Sequence, residues 1–232
     1  MGDRHLIPTK SNCGQTNTDD DIGDPYSQAT DYLLDLLVSL NPHLVADVGC
    51  GDAGVTFDVA QVLPYDTTLY AIDHDPTVFD PPFGEHTRAH CTITTLVQEV
   101  NELTLPTEVD VLFCRFLLLN LATPLAAVER MRQWVRPSGH LVLMEPITST
   151  GRVEGHPLSV GTDEIANPDI GLRLCELLAA VGVSEPSIAA FTPVGLGGSL
   201  AGRYLAAMTG VDPDPASFVS LPTLVLACGQ LQ

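Results

Sequence analysis

The chain has 232 residues, 45% hydrophobic and 17% charged, which fits one globular domain with a substantial core and not a disordered or low-complexity chain. Its formal charge of −19 reflects a shortage of bases, ten Lys and Arg against 29 acids, so a phosphate backbone would meet a repulsive field; nucleic acid is not expected as a partner unless the few arginines cluster. Lys10 is the sole lysine, which removes phosphate-loop Gly-Lys, Schiff-base lysine and Tyr-x-x-x-Lys chemistry.

Residues 1–24 are polar, carry the run Asp19-Asp20-Asp21, and read as a mobile segment or lid ahead of one domain over 25–232. Met1-Gly-Asp-Arg-His lacks a signal-peptide core, and no run of about 18 apolar residues occurs, so a cytoplasmic protein with no membrane span is expected. From Tyr26 to Leu40, Tyr32, Leu33, Leu36, Leu37 and Leu40 fall at helical spacing. Strands are expected near 44–48, 68–72, 92–97, 110–114, 140–145, 185–192 and 222–228. Further helices are expected near 54–63, 124–135, 168–181 and 199–208, with Thr123-Pro124 and Asn167-Pro168 each supplying a cap and a proline at the first helical position. Asp80-Pro-Pro-Phe-Gly84 breaks the stretch between the second and third strands into a loop. Strands alternating with helices imply a parallel sheet, hence an α/β fold. The six cysteines, at 13, 50, 91, 114, 175 and 228, form no Cys-x-x-Cys pair and read as free buried thiols, with no metal site.

Chemistry concentrates in Leu44-Val45-Ala46-Asp47-Val48-Gly49-Cys50-Gly51-Asp52-Ala53-Gly54. A strand runs into a glycine turn that opens a helix, an arrangement that lets backbone approach a ligand and aims free N–H groups at it. Gly49-x-Gly51-x-x-Gly54, with Asp73 about 20 residues on, also satisfies the dinucleotide pattern. Asp47 separates the two readings. An acid two residues before the first glycine repels a diphosphate but suits the cationic amino acid end of S-adenosylmethionine.

Asp47-Val-Gly-Cys-Gly resembles motif I of class I methyltransferases dependent on S-adenosylmethionine (SAM). Leu69-Tyr-Ala-Ile-Asp73-His-Asp-Pro76 resembles their acidic second strand, Asp110 to Leu121 their fourth strand and its exit, and Met131 to Pro146 the helix, Pro-Gly-type turn and fifth strand. Asn167 to Gly182 and Thr223 to Gly229 are similar, less specifically, to the closing elements of small-molecule methyltransferases of the quinone-biosynthesis and natural-product groups. The resemblance implies a Rossmann-like fold with a seven-stranded, mostly parallel sheet whose last strand is antiparallel. It further implies methyl transfer from SAM, leaving S-adenosylhomocysteine, to a small organic acceptor in secondary metabolism; the alternatives are a SAM-binding protein turned to a non-methylating reaction such as cyclisation, or a non-catalytic subunit. Substrate-covering insertions look short, which favours a compact acceptor or a second subunit in a homodimer as part of the lid.

Ligands of open parallel sheets bind beyond the carboxyl ends of the strands. Asp47, Asp73, Arg115 and Glu145 leave strands at that edge, whereas His43 and His140 stand at the other. By resemblance, Asp47 and the Gly49, Cys50 and Gly51 backbone hold the methionine end, Asp73 accepts the ribose hydroxyls, and Glu99 and Val100 meet the adenine edge, with Gln98 fitting nearly as well as Glu99. His74 falls at the adenine face or is a solvated loop residue, and Cys114 lends a carbonyl to the methionine amino group. Tyr26 either reaches the methionine end or packs the first helix. Arg115, Asn120, Glu145 and His156 are the polar candidates near the acceptor: His156 as a general base or a solvated side chain, Glu145 as a base or a partner of loop backbone, Arg115 as an anchor for an acceptor oxygen or the partner of an acid.

Overall fold

The structure, a computed structural model, describes residues 23–80, 91–158, 165–210 and 212–232. Most of the expected lid, with the run at 19–21, and the break at 81–84 lie outside the described residues. The first helix, α1 (Ser27–Leu40), buries Ala29, Thr30, Leu33 and Leu37 on one stripe and ends at Asn41, whose φ of +46° closes it in the left-handed region. Tyr32 lies off that stripe and leans its ring on Phe191 at 5.5 Å.

The expected alternation follows: β1 (Leu44–Val48), α2 (Gly54–Val62), β2 (Thr68–Asp73), β3 (Thr92–Val97), β4 (Val109–Arg115), α3 (Pro124–Arg132) and β5 (Val135–Ile147). Between β2 and β3 a 3-10 turn, Pro76–Phe79, occupies the start of the link. The expected turn at Pro137-Ser-Gly139 lies inside β5 as an irregularity: Val109 faces Val135 while Val111 already faces His140, so residues 136–139 bulge out of register. The expected helix at 168–181 begins as a 3-10 turn, Ile170–Arg173, and becomes α4 only over Leu174–Ala180. Asn167 does not cap it. Its amide donates instead to the carbonyls of Leu121 and Leu118, which ties this segment to the exit of β4.

Two more strands of the large sheet and a last helix complete the chain: β8 (Ser187–Phe191) at the sheet edge, α5 (Leu200–Thr209), and β11 (Thr223–Gln230) between β5 and β8. The seven-stranded sheet has the order β3-β2-β1-β4-β5-β11-β8, with only β11 antiparallel to its neighbours. Because side chains alternate along a strand, β1 sends Ala46 and Val48 to one face and Val45 to the other. The first face packs on α3 and α4 through Val128, Met131, Leu174 and Leu178; the second packs on α1, α2 and α5 through Leu33, Leu37, Val59 and Leu205. Strand order reverses between β1 and β4, which opens a crevice at their carboxyl ends.

The expectation of short covering insertions is corrected by a second, four-stranded sheet. It comprises β6 (Arg152–Val153), β7 (His156–Pro157), β9 (Val194–Leu196) and β10 (Phe218–Ser220) in the order β7-β6-β10-β9. All four strands belong to the links that leave β5 and β8 and enter β11. Thr223 pairs with Ile147 and Leu224 with Phe191, so those links meet at the carboxyl edge of the large sheet.

Candidate functional site

The site is built where β1 and β2 end. Gly49 and Gly51 have φ of +75° and +55°, and Ala53 follows at +65°, so the chain turns through the left-handed region three times before α2 starts. The amides of Gly49 and Cys50 both donate to the Ile72 carbonyl, at 2.8 and 3.0 Å, which stitches the loop to β2. A Cβ on Gly49 would meet Leu117 Cδ1 at 2.9 Å, while above Gly51 nothing lies within 4 Å. One glycine is closed in by the β4 exit; the other leaves open space where a ligand can approach backbone.

Two acids flank this loop, both 3% exposed. Asp47 Oδ2 accepts from the Thr56 hydroxyl at 2.6 Å, a bond that joins β1 to the first turn of α2. Burial pushes the Asp47 carboxyl up to about 7, against the Thr56 bond and with Asp73 adding to the rise; the Arg115 charge pulls it back. Asp73 accepts from the Gly51 amide at 3.0 Å and, through its other oxygen, from the Asp75 amide at 3.0 Å. His74 Nδ1 lies 3.2 Å from Asp73 Oδ1. A carboxylate is thus held rigidly beside the glycine loop with both oxygens oriented by backbone.

Next to it, a cavity of about 390 Å³ is lined by His74, Val97, Gln98, Glu99, Glu102 and Thr104. Val97, half exposed at the end of β3, supplies an apolar surface there. Gln98 is fully engaged, its amide donating to the Thr104 carbonyl at 2.9 Å and accepting from the Thr104 amide at 2.7 Å. Glu99, beside it, is exposed and carries a carboxylate; it precedes the 3-10 turn Val100–Glu102, whose first amide, that of Val100, has no carbonyl within the turn. The Glu99 carboxylate is thus an acceptor on the cavity lining, and the Val100 amide follows it in the chain.

The exit of β4 arranges the acceptor-side candidates differently from expectation. Glu145 is completely buried on β5 and does not face an open site: Oε1 accepts from the Leu117 and Leu118 amides at 2.8 and 2.7 Å, and Oε2 from Leu119 at 3.3 Å. Burial pushes it up to about 8 while the three amides pull it down. Of its two expected roles the geometry has the backbone partner. Tyr26, likewise, is buried with its hydroxyl donating to the Pro222 carbonyl at 2.9 Å and its ring edge-on to Phe116 and Tyr204, so of its two expected roles these contacts are those of packing the first helix. His156 is exposed on β7, the edge strand of the second sheet, apart from the glycine loop and the two buried acids. Asn120 donates to the Phe116 carbonyl. Cys114 is buried, its thiol pushed well above the usual range by burial and the nearby acids, and it stands opposite Leu143 one residue before the end of β4.

Arg115 reaches under α1. Its guanidinium donates to Thr30 Oγ1 at 3.1 Å, lies 3.5 Å from Asp24 Oδ2, and stacks 5.1 Å from the Phe116 ring centroid. Phe116 itself holds φ of +52°, a strained conformation for an aromatic residue. Thr56, Thr30, Asp24, Leu117 and Phe116 escaped the sequence reading, because their roles arise only when α1, α2 and the β4 exit meet. Among the described residues no three His, Cys, Asp or Glu are grouped as a metal site, and no helix is long and apolar enough to cross a membrane.

Residues 45–139 match the family described as a methyltransferase domain. No curated protein matches the sequence. Solved structures with the same fold include the N-methyltransferase NodS from Bradyrhizobium japonicum WM9 with S-adenosylhomocysteine, at 15% identity and a TM-score of 0.59 over 91% of this chain and 89% of that one. The magnesium protoporphyrin IX methyltransferase ChlM from Synechocystis PCC 6803 with bound SAM superposes at 14% identity and a TM-score of 0.57, covering 96% and 89%. The [4+2]-cyclase SpnF does so at 16% identity and 0.59, covering 92% and 84%.

Proposed function

We propose that this chain, a class I SAM-dependent methyltransferase by the match over residues 45–139 and by its fold, transfers a methyl group from SAM to a small organic acceptor. The observation that carries the reading is the pair of buried acids, Asp47 and Asp73, on either side of a glycine loop with open space above Gly51. A diphosphate would be repelled there, whereas an ammonium and a ribose diol are both recognised by carboxylates. Asp47 faces the ammonium end, Asp73 the ribose hydroxyls, and Glu99 with the Val100 amide the adenine edge, in a cavity whose Val97 and His74 offer flat surfaces. The bound sulfonium supplies a methyl group already attached to a good leaving group. The chain then has to place the acceptor in line and keep water out, and needs a base only if the acceptor must lose a proton.

The second sheet covers the carboxyl edge on the β5, β8 and β11 side, away from the adenine cavity, which supports an acceptor bound beneath it. Residues 25–232 act as the one domain and 1–24 as its lid. We place the protein in the cytoplasm, in secondary metabolism, with no nucleic acid partner. Val194, Leu196 and Phe218 are half exposed and share one face of the second sheet, the surface a second copy would cover in a homodimer.

A non-methylating reaction such as cyclisation is the second reading, favoured by two observations. The fold is shared with a [4+2]-cyclase, and Glu145 and Tyr26 already spend their polar atoms on backbone. Incubation with methyl-labelled SAM and a panel of phenols, amines and carbon acids tests the first reading. Label in an acceptor supports it; tight SAM binding without transfer to any of them favours the second.

A further inference from the structure

We infer that Arg115 holds the carboxylate of the cofactor's amino acid end, exchanging its contact with Asp24 for that carboxylate when the site fills. The inference rests on the SAM reading above. An amino acid end carries a carboxylate as well as an ammonium, and Asp47 and Asp73 answer only the positive part. At the carboxyl ends of β1, β2 and β4, Arg115 is the one Lys or Arg among the described residues. Its register places it two positions beyond Phe113, which pairs with Asp47 across β1 and β4, and its charge is felt at Asp47 and at Asp58 on α2.

The guanidinium is nearly buried, with 11% of its side chain exposed, yet its donors are poorly used. Nε is buried with no partner among the described residues, and one terminal nitrogen serves a neutral hydroxyl, that of Thr30. The other meets Asp24 at 3.5 Å, an oxygen that also takes a 3.4 Å bond from Thr30. A fork of five donors left with one long ionic contact is ready for a better carboxylate. Asp24 is the natural group to yield, since it is 44% exposed and can return to water.

Calorimetry on the full chain with SAM and with decarboxylated SAM, which keeps the ammonium, ribose and adenine, isolates the contact. Wild type is expected to prefer SAM by roughly 10- to 100-fold, the scale of one charge-assisted carboxylate contact. Arg115→Met should bind the two ligands within about threefold of each other while holding the decarboxylated ligand as wild type does, the range expected once the charged contact is gone. Asp24→Asn should bind SAM at least as tightly as wild type. If Arg115→Met keeps the preference for SAM, or if Asp24→Asn loses SAM as severely as Arg115→Met does, Arg115 only fastens α1 and the inference is wrong. Should Arg115→Met fail to fold, Arg115→Lys serves in its place: a preference at least about threefold smaller supports the assignment, because the fork is lost, and an unchanged preference overturns it. A wild type that binds neither ligand overturns the cofactor reading itself, and the inference with it.

Discussion

Replacing Glu145 with Gln separates a positioning carboxyl from a catalytic base. Glu145 is fully buried and its carboxyl is pushed from 4.5 up to about 8, so the folded chain keeps a proton there that the unfolded chain releases. A folded value above the unfolded one makes stability complete below about pH 4.5, and it declines as pH rises toward about 8. At pH 7 the penalty is about 3 kcal/mol, from two to three pH units at ~1.4 kcal/mol each. Glutamine cannot ionise, so it avoids that cost, and its oxygen can still accept from Leu117 and Leu118. Its amide nitrogen faces the Leu119 N–H donor to donor in place of the weak 3.3 Å bond, a loss of about 1 kcal/mol. Glu145→Gln should therefore equal wild type near pH 5 to within about 1 kcal/mol and exceed it by about 1–3 kcal/mol at pH 8. Glu145→Ala, which leaves three amides unpaired, should lose about 3–5 kcal/mol even at pH 5. Urea denaturation from pH 5 to 8.5 reads both, and turnover of Glu145→Gln should stay within a few-fold of wild type. Parallel pH profiles for wild type and Glu145→Gln would refute the electrostatic argument. A hundredfold loss of turnover with unchanged cofactor affinity would make Glu145 a base after all.

Asp73→Ala should weaken S-adenosylhomocysteine binding by roughly 2–3 kcal/mol in calorimetry, since it removes the proposed acceptor of the ribose hydroxyls and frees the Gly51 and Asp75 amides; unchanged affinity would remove Asp73 from the site. Gly49→Ala should cost about 1–3 kcal/mol of stability in thermal melts, because alanine is strained at φ +75° and its methyl would meet Leu117 Cδ1 at 2.9 Å; a neutral effect would mean the loop relaxes freely. Tyr26→Phe should lose about 1 kcal/mol with the bond to the Pro222 carbonyl yet bind S-adenosylhomocysteine as wild type does, and a clear drop in affinity would return Tyr26 to the cofactor site.

The large sheet was legible because its strands are long apolar runs bounded by Gly, Pro and Asp, and β1, β2 and β3 fall within a residue of their expected ends. The second sheet was not, since strands of two or three residues such as Arg152–Val153 and Val194–Leu196 carry no periodicity, and glycines at 195, 197 and 198 read as loop. Asp47, Asp73 and the glycine loop could be found from spacing along one segment. The position of Glu99 over Gln98 could not: it depends on Gln98 turning both ends of its amide to Thr104. The roles of Glu145 and Tyr26 were equally hidden, because their partners, the Leu117–Leu119 amides and the Pro222 carbonyl, lie at least 26 residues away and come close only through the β4 exit and the corner before β11.

The most direct test of the account is calorimetric titration of the purified chain with S-adenosylhomocysteine and, separately, with NAD. Buried acids at Asp47 and Asp73 beside an open glycine loop predict stoichiometric binding of S-adenosylhomocysteine and no heat with NAD. Saturable binding of NAD with none of S-adenosylhomocysteine would contradict the assignment of the site.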